Sequence, residues 1–338
     1  MNTSSDSASP VSEPRLVIRN LMSRSKSTDD TGQDVIAGLT AEPKSLPPKY
    51  FYDEKGSQLF EAICELPEYY PTRTETAILK AFSGAIAQKT GPCEIVELGS
   101  GSSTKTRILL DAYQAAHYPL RYLPVDVSDT MLSETANKLL HEYPRLSVHA
   151  FASTYEPALA SLPDKQLPAR MIGFIGSTIG NLRPAECAAF LDLISQTLEV
   201  GDYFLLGLDL QKESSILEAA YNDSQGITAA FNLNMLRHLN QRFEGDFDLN
   251  NFFHVAYYNK KENQIEMYLE SKEIQTVRLV SLGLTVEFEK GDRILSEISR
   301  KFSLEGMARS LRKHKLNVIE QLTDEKQWFG LLLAQRTP

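Results

Sequence analysis

The chain has 338 residues, of which 42% are hydrophobic and 23% are charged, the composition of a soluble globular protein long enough to bury a full core. Its formal net charge of −9 at pH 7 argues against a protein that coats nucleic acid, because binding phosphates needs a basic field. No apolar run approaches the roughly 18 residues that span a bilayer, so we expect no membrane partner.

Cysteine and histidine usage argues against disulfides and metal sites. The cysteines, Cys64, Cys93 and Cys187, are far apart and odd in number, without a C-x-x-C pair, as is typical of proteins in a reducing cytosol. The six histidines show no ligand spacing such as H-E-x-x-H, so no metal is expected. We predict a cytoplasmic protein that acts as a monomer.

The chain begins with a polar, serine-rich stretch, MNTSSDSASPVSEP, which lacks the apolar segment of a signal peptide. A stretch of this composition buries too little apolar surface to offset the entropy lost on ordering. We therefore predict that residues 1–29 form a disordered tail.

From residue 93 onward, short apolar runs alternate with amphipathic stretches. The helix after the first run places Ile108, Leu109 and Tyr113 on one face, and Pro184 suits the first turn of a later helix. The strands of this series are predicted at 93–99, 120–128, 146–152, 170–177 and 202–210. Such alternation indicates right-handed βαβ units and a parallel sheet.

The rhythm changes after residue 211. Following a helix over 227–243, the runs FHVAYYN and QIEMYLESK are separated by KKEN and predict an antiparallel hairpin. Further strands are predicted for IQTVRLV and LTVEFEKG, and a helix near 303–315 with KLNVIEQL and WFGLLLAQR then resumes the βαβ pattern.

The fold class is therefore α/β with two lobes. A doubly wound, Rossmann-like domain would comprise residues 78–211 and 302–338. A smaller α+β lobe would combine residues 30–77 with the insertion 212–301.

The segment EIVELGSGSSTKTR is the most informative in the chain. A strand leads into Gly99 and Gly101, whose freedom lets the backbone turn sharply and approach a ligand. The N–H groups at the start of the following helix then point at that ligand. Asp126 closes the next strand, 25 residues after Gly101, where an acid accepts hydrogen bonds from both hydroxyls of a ribose.

Two cofactors use this arrangement, dinucleotides and S-adenosylmethionine. The dinucleotide fingerprint has a third glycine where this chain has Thr104, and its acid lies nearer about 20 residues downstream. Glu97, two residues before the first glycine, is typical of methyltransferases, in which it faces the methionine end of the cofactor. These features favour S-adenosylmethionine over NAD, and a tight turn without a ligand remains the structural alternative.

Four longer strings carry a more specific likeness. They are KSLPPKYFYDEKGSQLFEAICELPEYYPTRTE (44–75), VELGSGSSTKTR (96–107), FIGSTIGNL (174–182) and RILSEISRKF (293–302). From residue 35 to the C-terminus the chain resembles the ergothioneine-pathway histidine N-α-methyltransferases, in the same order and with the same insertion after the fifth strand. The resemblance implies a Rossmann-like class I methyltransferase domain, a substrate-binding second lobe and S-adenosylmethionine as cofactor. It also implies three methyl transfers to the α-amino group of L-histidine, giving N-α-trimethylhistidine (hercynine), the first step of ergothioneine biosynthesis.

The resemblance also implies which residues surround the cofactor. They are Gly99, Lys105, Asp126 and Gly176, with Thr154 and Tyr155 where the family has Asp-Phe beside the adenine. The change to threonine removes a carboxylate acceptor for the adenine amino group, although the Thr154 hydroxyl can still accept.

For histidine, the resemblance implies a polar and aromatic set. It comprises Tyr52, Tyr69, Asn181, Tyr221, Met267, Glu297 and Ser299. Met267 matches a residue that packs on the imidazole ring. Tyr52 and Asn181 are the catalytic candidates: Tyr52 or a water would accept the proton of the amine, and the neutral Asn181 amide would anchor the α-amino or α-carboxylate group.

Glu297 and Ser299 are two residues apart, so in an extended segment they point to one face while Ile298 points away. A carboxylate and a hydroxyl on one face can address both nitrogens of an imidazole. A solvated charge at a strand edge remains the alternative for Glu297, and the end of a turn remains the alternative for Asn181. We predict that Tyr70 is structural.

Other functions remain open. An enzyme on the same scaffold could methylate another α-amine, such as a tryptophan derivative, although an indole N–H needs only an acceptor and Glu297 suits a more polar ring. Thr104 disfavours an NAD-dependent oxidoreductase, and the absence of a G-x-S-x-G motif disfavours a hydrolase. A non-catalytic interaction module is disfavoured by the polar and aromatic residues expected at one cleft.

Overall fold

The computed structural model describes residues 14–22 and 31–338. Its strands are β1 (Leu16–Asn20), β2 (Lys44–Ser45), β3 (Cys93–Leu98), β4 (Leu120–Asp126), β5 (Leu146–Ala152), β6 (Ala169–Phe174), β7 (Tyr203–Asp209), β8 (Phe252–Asn259), β9 (Gln264–Ser271), β10 (Gln275–Leu279), β11 (Leu284–Phe288), β12 (Arg293–Arg300), β13 (Leu316–Thr323) and β14 (Phe329–Arg336). Its α-helices are α1 (Gln33–Thr40), α2 (Glu54–Cys64), α3 (Tyr70–Thr90), α4 (Thr104–Ala115), α5 (Asp129–Glu142), α6 (Tyr155–Ala160), α7 (Pro184–Thr197), α8 (Ser214–Tyr221), α9 (Ile227–Phe243) and α10 (Leu304–Lys313). Within this described part, no helix is long and apolar enough to cross a membrane.

One 8-stranded sheet dominates the molecule, in the order β1-β5-β4-β3-β6-β7-β14-β13. Neighbours from β1 to β7 run parallel, whereas β14 is antiparallel to both β7 and β13. The chain moves outward from β3 to β5 and then returns to β6 on the other side of β3. This doubly wound order confirms the predicted α/β, Rossmann-like methyltransferase fold.

The predicted N-terminal tail is wrong over part of its range. Residues 16–20 form β1, which pairs in parallel with β5 and places Leu16 opposite Val148. Leu16 also packs against the core of the large sheet, and pairing satisfies an edge of β5 that would otherwise be open. The strand therefore depends on a distant partner rather than on its own composition. Residues 1–13 and 23–29 of the predicted tail lie outside the described residues.

Both faces of the large sheet are covered by helices, as a parallel sheet requires. Successive residues of β7 show the two sides, because side chains alternate along a strand. Leu205 belongs to the apolar cluster that includes Ile78 of α3 and Leu109 of α4. Phe204 belongs to the opposite cluster, which includes Leu191 of α7.

A smaller lobe carries a four-stranded sheet, β2-β12-β9-β8, and a two-stranded sheet, β10-β11. The antiparallel pairing of β8 with β9 confirms the predicted hairpin. Its core joins the N-terminal segment to the insertion, since Val35 and Phe51 pack in one cluster with Phe231 and Leu269. The Phe51 and Phe231 rings stack with centroids 4.5 Å apart.

Helix α3 extends from one core to the other. α3 begins where Tyr70 packs in the core of the smaller lobe and ends where Ile86 packs under the large sheet. It therefore crosses residue 77 without interruption. The domain boundaries at 77, 211 and 301 stay a prediction.

Candidate active site

The candidate site lies where the strand order of the large sheet reverses. From β3 the chain proceeds to β4 on one side, whereas β6 is the neighbour of β3 on the other. Connections that leave in opposite directions open a crevice at the carboxyl ends of these strands, and open α/β sheets bind ligands there. Gly99, Asp126 and Gly176 all lie at this edge, after β3, at the end of β4 and after β6.

The glycine turn after β3 needs its glycines. Gly99 has φ 73° and Gly101 has φ 48°, left-handed conformations in which a side chain is strained. The N–H of Gly99 donates to Val125 O at 2.8 Å. A β-carbon on Gly101 would meet no atom of the described residues within 4 Å, so within this part of the chain the turn faces open space. The turn therefore leaves room for a ligand against its backbone.

Asp126 ties this turn to the next strand. Its Oδ2 accepts from Gly101 N at 2.9 Å and its Oδ1 accepts from Ser128 N at 3.0 Å. Each carboxylate oxygen has a further lone pair, which leaves Asp126 able to accept hydrogen bonds from a ribose. The Tyr155 hydroxyl oxygen lies 3.3 Å from the position of a Gly99 β-carbon, whereas Thr154 is exposed at the start of α6.

Glu97, the acid at the end of β3, is buried and hydrogen-bonded. It is 4% exposed, and its Oε2 accepts from the hydroxyls of Thr106 and Tyr122. The carboxyl therefore joins β3 to α4 and β4, and its contact with the methionine end of the cofactor stays a prediction. Burial raises the pKa of Glu97 to about 7, against the lowering effect of the Thr106 and Tyr122 hydrogen bonds.

This titration predicts a pH-dependent effect of Glu97→Gln on stability. Because the folded pKa of about 7 exceeds the ordinary value of 4.5, the wild-type protein loses stability as pH rises from the ordinary pKa to the folded pKa. Glutamine does not titrate and can still accept both hydroxyls. We expect the stability of Glu97→Gln relative to wild type to rise by about 2–3 kcal/mol between about pH 5 and pH 8, measured by urea unfolding. Parallel stability curves for the two proteins would contradict this titration.

A second acid, Glu75 of α3, organises the turn after β6. It is fully buried, and its carboxylate accepts from Gly176 N at 2.9 Å and from the Lys105 ammonium of α4. Lys105 is partly exposed, so the Glu75 carboxylate positions a cation at the rim of the crevice. The sequence prediction included Lys105 and Gly176 but missed the acid that joins them.

Aromatic rings form the wall of the smaller lobe. Tyr52 lies between Phe60 and Phe231, with ring centroids 5.9 Å away in each case. Tyr69 contacts Phe60 at 6.5 Å and Tyr221 at 6.2 Å, edge to face, a favourable arrangement for aromatic pairs. The three predicted tyrosines thus belong to one continuous wall.

The turn Thr178–Asn181 leads from the cofactor crevice to this lobe. Asn181 Nδ2 donates to Glu297 Oε1 at 2.9 Å. A β-carbon on Gly180 would lie 3.0 Å from Arg300 O, so glycine lets the turn approach β12 closely. The predicted amide and the predicted carboxylate are therefore direct partners.

A bulge sets the direction of Glu297. The register between β12 and β9 shifts between Leu295 and Glu297, and bulges of this kind re-aim side chains next to functional sites. Glu297 is thereby paired with Met267, which is 1% exposed and packs in the core of the smaller lobe. Met267 thus lies beside Glu297 in the sheet, as a residue packing on a bound ring would need to.

Ser299 is held from beneath by a polar cluster. Its Oγ lies 2.8 Å from the Tyr221 hydroxyl and accepts from the Lys301 ammonium at 2.8 Å. Lys301 is also 2.8 Å from Asp209 Oδ2 at the end of β7. Tyr221 and Ser299, both predicted for the substrate site, are therefore in direct contact, and the sequence prediction missed Lys301 and Asp209.

Electrostatics distinguish the two titratable groups nearest the cleft. Burial raises the pKa of Glu297 to about 7, although the Asn181 hydrogen bond and the Lys301 charge lower it. Burial of the Tyr52 hydroxyl and the Glu297 charge raise the pKa of Tyr52. The residue as a whole is 49% exposed to solvent. Glu297 is therefore expected to titrate near neutrality, whereas Tyr52 stays protonated.

Comparison with known proteins decides the family. A model for histidine-specific, S-adenosylmethionine-dependent methyltransferases matches residues 31–336. The chain belongs to this family.

Relatives of this methyltransferase span most of its length. The histidine N-alpha-methyltransferase of Mycolicibacterium smegmatis is 44% identical over 95% of this chain and 99% of its own. Ergothioneine biosynthesis protein 1 of Schizosaccharomyces pombe is 30% identical over 76% of this chain but only 34% of its own. A 4-dimethylallyltryptophan N-methyltransferase of Claviceps purpurea is 30% identical over 59% of this chain and 60% of its own. The family confirms S-adenosylmethionine as cofactor and methyl transfer as the reaction.

Two of the residues missed by sequence reasoning lie inside the strings that carry the resemblance. Glu75 ends the string LPEYYPTRTE, and Lys301 lies in RILSEISRKF, so both belong to the strings that carry the resemblance. Charged residues are almost never fully buried unless paired. A charged residue within a string that otherwise folds into the core could therefore have been predicted to have a charged partner.

Proposed function

We propose that the chain transfers three methyl groups in succession from S-adenosylmethionine to the α-amino group of L-histidine. The product is N-α-trimethylhistidine, the first intermediate of ergothioneine synthesis. In this proposal the chain is a cytosolic monomer, since one chain supplies every residue of the site and its described cysteines are free.

The carrying observation is the single turn that joins the two halves of the site. The turn Thr178–Asn181 follows Gly176, which lies beside Lys105, and Asn181 at its end donates a hydrogen bond to Glu297. A molecule held by Glu297 and Asn181 would therefore lie next to the cofactor crevice. A small polar molecule that has a ring N–H donor and an amine fits this set of groups.

The residues that line the crevice have the chemical groups that S-adenosylmethionine requires. The open space beside Gly101 accommodates the chain of the methionine part, Asp126 offers acceptors for ribose hydroxyls, and Lys105 offers a cation for a carboxylate. When bound, S-adenosylmethionine supplies a methyl group on a positively charged sulfur. In the proposal, the residues of this chain hold the amine in line with that methyl, and such positioning provides much of the acceleration.

Asn181 is suited to an amine that changes at each round. Its Nδ2 is held by Glu297, which leaves the carbonyl oxygen as an acceptor for the amine. The oxygen can accept an N–H of the primary and of the secondary amine, and because the amide carries no charge it also tolerates the tertiary amine, which has no N–H to donate.

The proton of the amine passes to water in this proposal rather than to Tyr52. The raised pKa of Tyr52 disfavours a phenolate, which is the form that could take a proton. The half-exposed Tyr52 side chain leaves a path for water, and its neutral hydroxyl positions the amine by hydrogen bonding.

Mass spectrometry tests the product. With excess S-adenosylmethionine, we expect mono- and dimethylhistidine to appear transiently and the trimethyl form to accumulate, because the site tolerates each methylated amine. Deuterated methyl donor distinguishes transferred groups from contaminants. Accumulation of monomethylhistidine as the end product, or methylation of tryptophan in preference to histidine, would contradict the proposal.

A further inference from the structure

A buried lysine lies directly beneath the proposed ring-binding residues. The Lys301 side chain is 0% exposed, and its Nζ contacts three oxygens: Asp209 Oδ2 at 2.8 Å, Ser299 Oγ at 2.8 Å and the Tyr221 hydroxyl at 3.2 Å. An ammonium has three N–H donors and no acceptor. All three protons of Lys301 are therefore committed, and each of the two hydroxyl oxygens must accept one of them.

Asp209 prevents Lys301 from moving away. Its carboxylate also accepts from the Tyr70 hydroxyl at 2.7 Å and pairs with Lys212 at 2.6 Å, and its backbone N–H donates to Ser177 Oγ at 2.8 Å. Burial alone lowers the pKa of Lys301, but the Asp209 charge outweighs burial and raises it overall. Lys301 thus remains an ammonium in a fixed position.

Titratable groups face this cluster from several elements. They are Asp209 of β7, Lys212 after β7, Tyr70 of α3, Tyr221 of α8, Tyr258 of β8 and Glu297 of β12. Burial lowers the pKa of Lys212 to about 8, whereas the pKa of Tyr221 is raised by burial. Within the range where histidine itself titrates, the groups of this set whose charge changes are Glu297 and, toward the upper end, Lys212.

A count of protons fixes what the hydroxyl pair presents to a ligand. Ser299 and Tyr221 have two hydroxyl hydrogens between them, and their 2.8 Å contact uses one. The other hydrogen has no partner within the cluster, because the remaining neighbour, Lys301, can only donate. Whichever hydroxyl carries it, the pair offers one O–H donor to the cleft beside the acceptor Glu297.

We propose that Lys301 is a positioning residue for ring specificity: it forces the Ser299–Tyr221 pair to act as a donor, so the site selects a ring with one N–H and one unprotonated nitrogen. This inference rests on the proposed function. A neutral imidazole meets both demands, since one nitrogen donates to Glu297 and the other accepts from the hydroxyl pair. An imidazolium carries two N–H groups and leaves two donors facing each other.

Glu297 alone would predict the opposite preference, for the protonated ring. A lone carboxylate attracts a cation and would favour the imidazolium. A buried donor without an acceptor, by contrast, loses its hydrogen bond and keeps the cost of leaving water. Preference for the neutral ring would therefore be a property of Lys301, acting through Ser299 and Tyr221.

The test uses two substrates that differ in ring basicity. Histidine is protonated below about pH 6.5, whereas the ring of 1,2,4-triazol-3-ylalanine stays neutral and keeps one N–H and an unprotonated nitrogen. Because both share the same amine and the same enzyme groups, the ratio of their kcat/KM values cancels the titration of Glu297. We expect the ratio of kcat/KM for histidine to kcat/KM for triazolylalanine to fall about tenfold in wild type as the pH is lowered from roughly 7.5 to 5.5. A constant or rising ratio would overturn the inference without any variant.

Lys301→Met removes the committed donor while keeping the side-chain length. We expect kcat/KM for histidine near pH 7.5 to fall about tenfold, the worth of one hydrogen bond, and the ratio to change by less than about twofold over the same pH range. Lys212→Met is the matched control, because Lys212 pairs with the same Asp209 but contacts neither Ser299 nor Tyr221. It should lose comparable stability and keep the wild-type pH dependence of the ratio.

A double-mutant cycle separates positioning from general destabilisation. If Lys301 acts through Ser299, then adding Lys301→Met to Ser299→Ala should cost much less than tenfold. Equal losses for both substrates in Lys301→Met, with an unchanged ratio profile, would reduce Lys301 to a structural role and overturn the inference. Should histidine not be methylated at all, it is the proposed function that fails.

Discussion

Gly101→Val is expected to weaken S-adenosylmethionine binding on the order of 100-fold or more, about 3 kcal/mol. The side chain would project into the open space beside the turn, which is where the methionine part of the cofactor is expected. Gly101 has φ 48°, and a β-branched residue is strained there by about 1–3 kcal/mol. Relief of that strain would also pull Gly101 N from Asp126. Isothermal titration calorimetry measures the loss.

Gly283→Val is the control that separates backbone strain from steric blocking of the cofactor site. Gly283 has φ 60°, and a β-carbon there also meets nothing within 4 Å, but it lies between β10 and β11, away from the crevice. We expect a similar loss of stability in both variants and unchanged cofactor affinity in Gly283→Val. Wild-type affinity in Gly101→Val would show that the cofactor does not lie against this turn.

Glu297→Ala is expected to lower kcat/KM for histidine by about 5- to 150-fold, corresponding to roughly 1–3 kcal/mol for a hydrogen bond to a charged group. An imidazole N–H would lose its acceptor, and the Asn181 amide would lose the partner that orients it. The enlarged, neutral pocket should also discriminate less against tryptophan. Steady-state kinetics with both amino acids measure the two effects.

Glu266→Ala is a matched control for the carboxylate. Glu266 lies on neighbouring β9, opposite Ile298, and therefore on the other face of the sheet from Glu297. Its carboxylate accepts from Tyr257 at 2.9 Å and from Tyr268 at 2.7 Å. We expect this variant to lose stability while keeping its preference for histidine and its cofactor affinity. Wild-type efficiency on histidine in Glu297→Ala would contradict the imidazole-recognition role.

The pH dependence of the Glu297 role has a definite sign. A carboxylate accepts hydrogen bonds in its ionised form, and burial raises the pKa of Glu297 to about 7. Recognition of a ring N–H should therefore weaken as pH falls below 7. In Glu297→Gln this part of the pH profile should disappear, because the amide does not titrate.

The sequence by itself determined those features that depend on neighbouring residues. The strand–turn–helix around Gly99 and Gly101 was predictable because a left-handed turn leaves a local signature of glycine. The alternation of apolar runs predicted the parallel sheet, since each strand and helix buries its own periodic face. The strings containing Asn181 and Glu297 were sufficient to indicate the family and its substrate.

Only the tertiary structure decided which polar groups meet. β1 was predicted as a disordered tail because its stability depends on pairing with β5, which no local pattern encodes. Glu97 accepts hydrogen bonds from Thr106 and Tyr122, which belong to two other elements, and no local pattern around Glu97 indicates these partners. Glu75 with Gly176, and Lys301 with Asp209, are pairs from segments far apart in the chain. Burying such charges is favourable only when their partners are in place, so their role depends on how the two lobes pack.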